Sequence, residues 1–156
     1  MLARRRRPDA RVGASAAAAL VLAALPAWGF TAAQVQAGAR TYQRQCARCH
    51  GPDGQGKDAA FKGLRAPELI GAGALPVEPR AYQRLRRQKF RTAKDVYDFV
   101  SATMPADQPA ILSGDEYLGV VAYLLARNGT APDGTPLTVA SSAATALHPP
   151  HAQAGR

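Results

Sequence analysis

One short stretch concentrates the residues capable of metal and redox chemistry: Cys46-Ala47-Arg48-Cys49-His50. Its cysteines are the only two in the chain. Two thiols and an imidazole within five residues admit a disulfide, part of a zinc site, a redox dithiol, or the attachment point of a haem. A Cys46–Cys49 disulfide would close a tiny loop and constrain the unfolded chain little. A thioredoxin-like dithiol follows a strand in a βαβ unit, and no such pattern is visible. Zinc needs about four ligands. The spare histidines, His148 and His151, lie far away in the segment HPPH, spaced more closely than zinc pairs usually are. The haem chemistry uses both thiols and the imidazole. Each thiol adds to one vinyl group, and the adjacent His50 faces the iron. Cys-x-x-Cys-His is the c-type haem attachment sequence.

The N-terminus is consistent with that chemistry. Arg4, Arg5, Arg6, Arg7 and Arg11 form a basic head, followed by the uncharged, Ala/Leu/Val-rich run from Val12 to Phe30. Basic head, apolar middle and a small-x-small end at Ala27-Trp28-Gly29 are the layout of a secretory signal peptide. Residues 1–29 are therefore expected to be a signal, with cleavage after Gly29. General secretion of an unfolded chain fits better than twin-arginine export. The alternative is an uncleaved anchor in the inner membrane, which the alanine content and Pro26 argue against. Losing those five arginines and Asp9 lowers the formal charge from +9 to +5. Seven of the remaining basic residues fall between Arg80 and Lys94. Nucleic acid is not an expected partner of a secreted chain. An acidic protein surface or an anionic membrane is the better match for such a stretch.

A haem iron held by His50 needs a second axial ligand. Met1 leaves with the signal, so Met104 is the remaining methionine, in the stretch ATMPADQP. A lone methionine is ordinarily core filler, but Met/His ligation is the cytochrome c arrangement. His148 and His151 are the alternative ligands, and a mobile tail would hold them poorly.

The elements that must position these residues are helical. Thr31 and Gln34 form a capping box for a helix through AAQVQAGARTYQRQCARC, with Val35, Gly38, Tyr42 and Cys46 near one face. Residues 51–79 are rich in Gly and Pro, which argues against regular elements. A helix is expected from Arg80 to about Lys89. Another fits TAKDVYDFVSAT, with the stripe Val96, Phe99 and Val100, stopped by Pro105. The last runs from the Ser113–Glu116 capping box, with an apolar face of Leu118, Val121, Ala122 and Leu125, to Asn128-Gly129. Beyond Leu137 the chain is Ala/Ser/Thr/Pro-rich without periodicity, so 138–156 reads as a disordered tail. No internal repeat is visible. The expected class is all-α: three or four helices and long loops in a domain spanning 30–137. So thin a core inventory calls for a large apolar cofactor to complete it.

With these pieces in place, the chain resembles a class I monohaem cytochrome c, similar to periplasmic cytochromes that accompany quinoprotein or sulfur-oxidising dehydrogenases. The resemblance runs from Phe30 to about Leu137. It is carried by GARTY before CARCHG, then APELIG, FRTAKDVYDFVSATMP and LSGDEYLGVVAYLLARNG. It implies a close crossing of the first and last helices, with Gly38 and Tyr42 meeting Val120 and Tyr123. It also implies that the Pro67 backbone carbonyl accepts from the His50 Nδ1–H, which would fix the ring. Phe90 stands where many such proteins carry a tryptophan near the haem propionates, a role that Arg91 or Tyr82 could take.

The expected cofactor is one covalent haem c, held by Cys46, Cys49, His50 and Met104. A six-coordinate iron has no open position for a substrate, so the expected activity is single-electron transfer in the periplasm, with no catalytic residue. Expected partners are a periplasmic dehydrogenase as donor and a cytochrome oxidase or another cytochrome as acceptor. The basic stretch from Arg80 to Lys94 is either a solvated helix face or a surface that steers docking. Two other readings remain: a haem subunit of a dehydrogenase complex, and a ligand-binding or sensor haem if Met104 is displaced.

Overall fold

Four of the helices among the described residues start where a side chain can satisfy the exposed N–H groups of a first turn. The Thr31 hydroxyl accepts from the Gln34 N–H at 3.1 Å while the Gln34 side chain accepts from the Thr31 N–H. From this capping box, α1 runs Ala32–Gln45. The computed structural model describes residues 29–56, 60–61, 64–75 and 89–147. Helix α2, Ala47–His50, follows at once, with Cys46 standing at the join. Capping boxes also open α3 (Ala93–Thr103, from Thr92 and Asp95), α4 (Gly114–Arg127, from Ser113 and Glu116) and the short α5 (Val139–Ser142, from Thr138 and Ser141). The fold is all-α. Its one regular extended feature among the described residues is a two-residue pair, β1 (Ala60–Phe61) antiparallel to β2 (Leu64–Arg65). That pair falls inside the stretch expected to lack regular elements.

Two glycines let α1 and α4 touch. A Cβ on Gly38 would sit 1.8 Å from the Gly119 carbonyl oxygen, a distance no side chain could occupy. The expected crossing is therefore present, but the residue that Gly38 meets most closely is Gly119 rather than Val120. Beside the contact, the Tyr42 and Tyr123 rings lie 5.2 Å apart at 44°. The sequence stripe for α4 named four residues, whereas every residue from Tyr117 to Leu125 is buried. The helix is covered on one side by α1 and on another by α3, so both sides must be apolar. Against it α3 buries Ala93, Val96 and Phe99. Phe90 meets Phe99 edge-on at 5.4 Å, so its ring is a core element.

The expectation of a disordered tail from 138 is corrected for residues 138–147. Ser142, Thr145 and Leu147 are buried, and α5 is capped. Gln34 both donates to the Leu137 carbonyl at 2.8 Å and accepts from the Leu137 N–H at 2.9 Å. Further on, Ala93 N–H donates to Thr145 O and Leu147 N–H to Arg91 O. Low periodicity hid this segment because it is held by backbone hydrogen bonds and not by an amphipathic face. The signal region 1–28, the helix expected over Arg80–Lys89 save its last residue, Tyr82, and the tail from 148 with His148 and His151 lie outside the described residues. No helix among the described residues is long and apolar enough to cross a membrane.

Candidate haem site

The Cys46–His50 stretch, the candidate attachment turn, is a single helical turn. Cys49 N–H and His50 N–H both reach back to the Cys46 carbonyl, at 3.1 and 2.9 Å. Residues three and four apart share a helix face, so this turn puts both thiols and the imidazole on one side. The cysteines are free and partly buried. Burial, with a smaller push from Cys49, raises the Cys46 thiol to about 11 against the pull of the Arg48 charge, so it is a neutral thiol at neutral pH. Among the described residues, no three His, Cys, Asp or Glu side chains gather to hold a metal ion, so the zinc chemistry has no donor set there.

His50 is buried, and its Nδ1 lies 3.0 Å from the Pro67 carbonyl oxygen. Burial holds its pKa below the ordinary imidazole value, outweighing the opposite effect of that hydrogen bond. A neutral ring donating from Nδ1 carries its lone pair on Nε2. That is the form needed for an axial ligand, with the second-shell carbonyl fixing the tautomer. The donor chemistry of the turn therefore fits a c-type haem: two free thiols for thioether formation and one oriented imidazole nitrogen.

The loop that offers Pro67 is held from several directions. Leu69 and Ile70 donate their N–H groups to Gly54 O, and the Gln55 side chain donates to Ile70 O. At the end of α4, the Asn128 side chain donates to Leu69 O and Leu124 O and accepts from Gly71 N–H. Gly56 makes room beneath the loop. Its φ is +64°, and a Cβ there would lie 2.3 Å from Ala66 O and 2.9 Å from Pro67 O. Neither role has a local signal: in the sequence Asn128 reads as a helix stop and Gly56 as one of many turn formers.

Met104 closes α3 and is partly buried at the edge of the core, which Cys46, Leu69 and Val100 also border. Its backbone is gripped from α4, where Tyr117 donates its hydroxyl to the Met104 carbonyl at 2.6 Å. Three residues later, Asp107 pairs with Arg48, which stands between the two cysteines. The chain after Met104 is thus tied to the attachment turn itself. On the other side, the buried Tyr42 donates to Gly51 O at 2.8 Å, next to His50. Tyr117, Arg48 and Asp107 had no local signal that could reveal these contacts, because each depends on a partner distant in sequence.

The fold is shared with a solved structure, that of the sulfane dehydrogenase SoxCD from Paracoccus pantotrophus. The TM-score is 0.52 and the identity 24%, covering 92% of this chain and 70% of that one. No curated protein matches. The family described as cytochrome c oxidase, cbb3-type, subunit III matches residues 33–124, a span that runs from α1 through the attachment turn and Met104 into α4. The chain belongs to this family of cytochrome c domains.

Proposed function

We propose that this chain is a periplasmic single-electron carrier with one covalently attached haem c. Cys46 and Cys49 provide the thioether bonds, His50 Nε2 one axial ligand, and the Met104 thioether the other. The observation that carries this reading is the buried, neutral His50, oriented by Pro67 and set within one turn of two unbridged thiols. When bound, the haem supplies a reversible one-electron site whose potential a neutral thioether ligand raises. The chain's own contribution is to fix both ligands, so that little rearranges between the two oxidation states. Pro67 O and the contacts behind it hold the imidazole, while α3 and Tyr117 hold the backbone of Met104. Removal of residues 1–29 on export, and partners that are themselves redox proteins, belong to the same proposal.

The test is a reduced-minus-oxidised spectrum of the periplasmic protein, taken with its intact mass. The expected result is a mass equal to the chain from Phe30 plus one haem, and a ferric spectrum with the long-wavelength band of methionine–iron ligation. Met104→Ala should keep the haem attached, abolish that band and lower the potential. A mass without haem overturns the reading, and an unchanged potential in Met104→Ala removes Met104 from the ligand set.

A second reading is supported by the family's description as an oxidase subunit. In it the chain is the haem subunit of a larger oxidoreductase. Co-purification in a stoichiometric complex favours this reading, and a free monomer in the native periplasmic extract disfavours it.

A further inference from the structure

Among the described residues, two contacts of different kinds bind the stretch that begins at Met104 to its surroundings. Tyr117 is buried, and its hydroxyl reaches the Met104 carbonyl at 2.6 Å, a neutral hydrogen bond shielded from water. The second contact is the ion pair of Asp107 with Arg48, where the side chains keep 29% and 48% exposure. Beyond the buried Pro105, residues 106–111 are all exposed, so burial contributes little to keeping that part of the stretch in place. Arg48 lies inside the attachment turn, between the two thiols. Its pairing with Asp107 therefore closes the chain after Met104 onto the same turn that would bear the haem.

We propose that Tyr117, Arg48 and Asp107 are positioning residues that latch the Met104 segment, and that the ion pair makes this latch responsive to salt. The inference rests on the reading of Met104 as an axial ligand. An external base can take the position of the thioether only when the segment swings away. Its apparent affinity is then its intrinsic affinity reduced by the fraction of molecules that are open. Exposed ion pairs have small effects and weaken with ionic strength, so loss of this one should raise the open fraction about 1.5- to 5-fold. Loss of the shielded hydrogen bond should raise it about 2- to 10-fold. Only the first effect should fade in salt.

The experiment is an imidazole titration of the ferric holoprotein, read as loss of the methionine–iron band, at low and at high ionic strength. Imidazole is predominantly neutral above its pKa, so at mildly alkaline pH salt acts on the protein and not on the probe. Wild type should bind imidazole more tightly as salt rises. Arg48→Gln and Asp107→Asn should each bind about 1.5- to 5-fold more tightly at low salt and match wild type at high salt. The double variant should show clearly less than the sum of the two single changes, as expected of two residues that share a contact. Tyr117→Phe should bind more tightly at both salt levels. Single variants that titrate as wild type at low salt, or a double variant whose effect is their sum, overturn the latch. A wild-type holoprotein that lacks the band overturns the ligand reading and the latch with it, whereas a normal band with unchanged titrations overturns the latch alone.

Discussion

The Pro67 carbonyl can approach His50 because Gly56 leaves the space beneath it open. Gly56 adopts a left-handed φ of +64° and donates its N–H to the His50 carbonyl at 2.8 Å, so it touches both partners of the key contact. A methyl group there would drive into the Ala66 and Pro67 backbone, which has no flexible side-chain end to move aside. Gly56→Ala should cost about 1–3 kcal/mol for the forced packing and about 1–2 kcal/mol for the left-handed backbone. It should also displace the His50 acceptor, so the folded fraction should show an altered reduction potential. Chemical denaturation and voltammetry check the two effects separately, and a variant with unaltered stability would mean that the loop yields freely. At this scale the sequence was legible where chemistry is local. Cys46, Cys49 and His50 announce themselves by spacing alone, and Pro67 came from the resemblance. Gly56 and Asn128 were not legible, because their work is defined by atoms tens of residues away.

Among the elements, the capping boxes that open α1 and α4 are the most readable features, since each depends on two residues three apart. Those that open α3 and α5 are not, because Asp95 and Ser141 stand where Glu or Gln is the usual partner. In the α3 box the Asp95 carboxylate accepts from Arg91 N–H, Thr92 N–H and the Thr92 hydroxyl. Burial alone would raise its pKa, but these hydrogen bonds and the Arg91 charge outweigh burial and lower it below the ordinary value of 3.8. A carboxylate whose folded pKa is depressed stabilises the fold above its unfolded pKa, and that contribution disappears as pH falls through the folded value. Stability should therefore decline below about pH 4, and Asp95→Asn should flatten this part of the decline while lowering stability at pH 7. Thermal melts of both proteins between about pH 2 and about pH 7 would show it. Parallel curves would mean that Asp95 contributes no acid dependence. The crossing of α1 on α4 was only half legible. Gly38 stood out beside Tyr42, whereas Gly119 lay hidden within a run that reads as uniformly apolar.

Taken whole, the molecule is fastened at a place that composition made look expendable. Residues 137–147 bridge the start of α1, through Gln34 and Leu137, and the start of α3, through Thr145 and Leu147. Leu137 and Leu147 are buried, at 1% and 7% exposure, which separates a docked strap from a solvated tail. Burying a leucine fully contributes about 1.5–3 kcal/mol, and ordering the backbone offsets much of that. The net effect of a chain ending at residue 136 should be a loss of about 1–3 kcal/mol, or several degrees in Tm. The attachment turn and Met104 take no hydrogen bond from this segment among the described residues, so the haem spectrum and its potential should stay as in the full chain. The local signature is the Ala93 amide, which donates to Thr145 O at 2.8 Å and would lose its partner. Its hydrogen exchange should quicken well beyond that of amides inside α4. If the shortened chain kept both its Tm and the protection of Ala93, the segment would rest on the fold without supporting it. Faster exchange at Ala93 with an unchanged potential would instead divide the molecule into the half proposed to hold the haem, with the Cys46–His50 turn, the Pro67 loop and Met104, and a separate brace that carries stability.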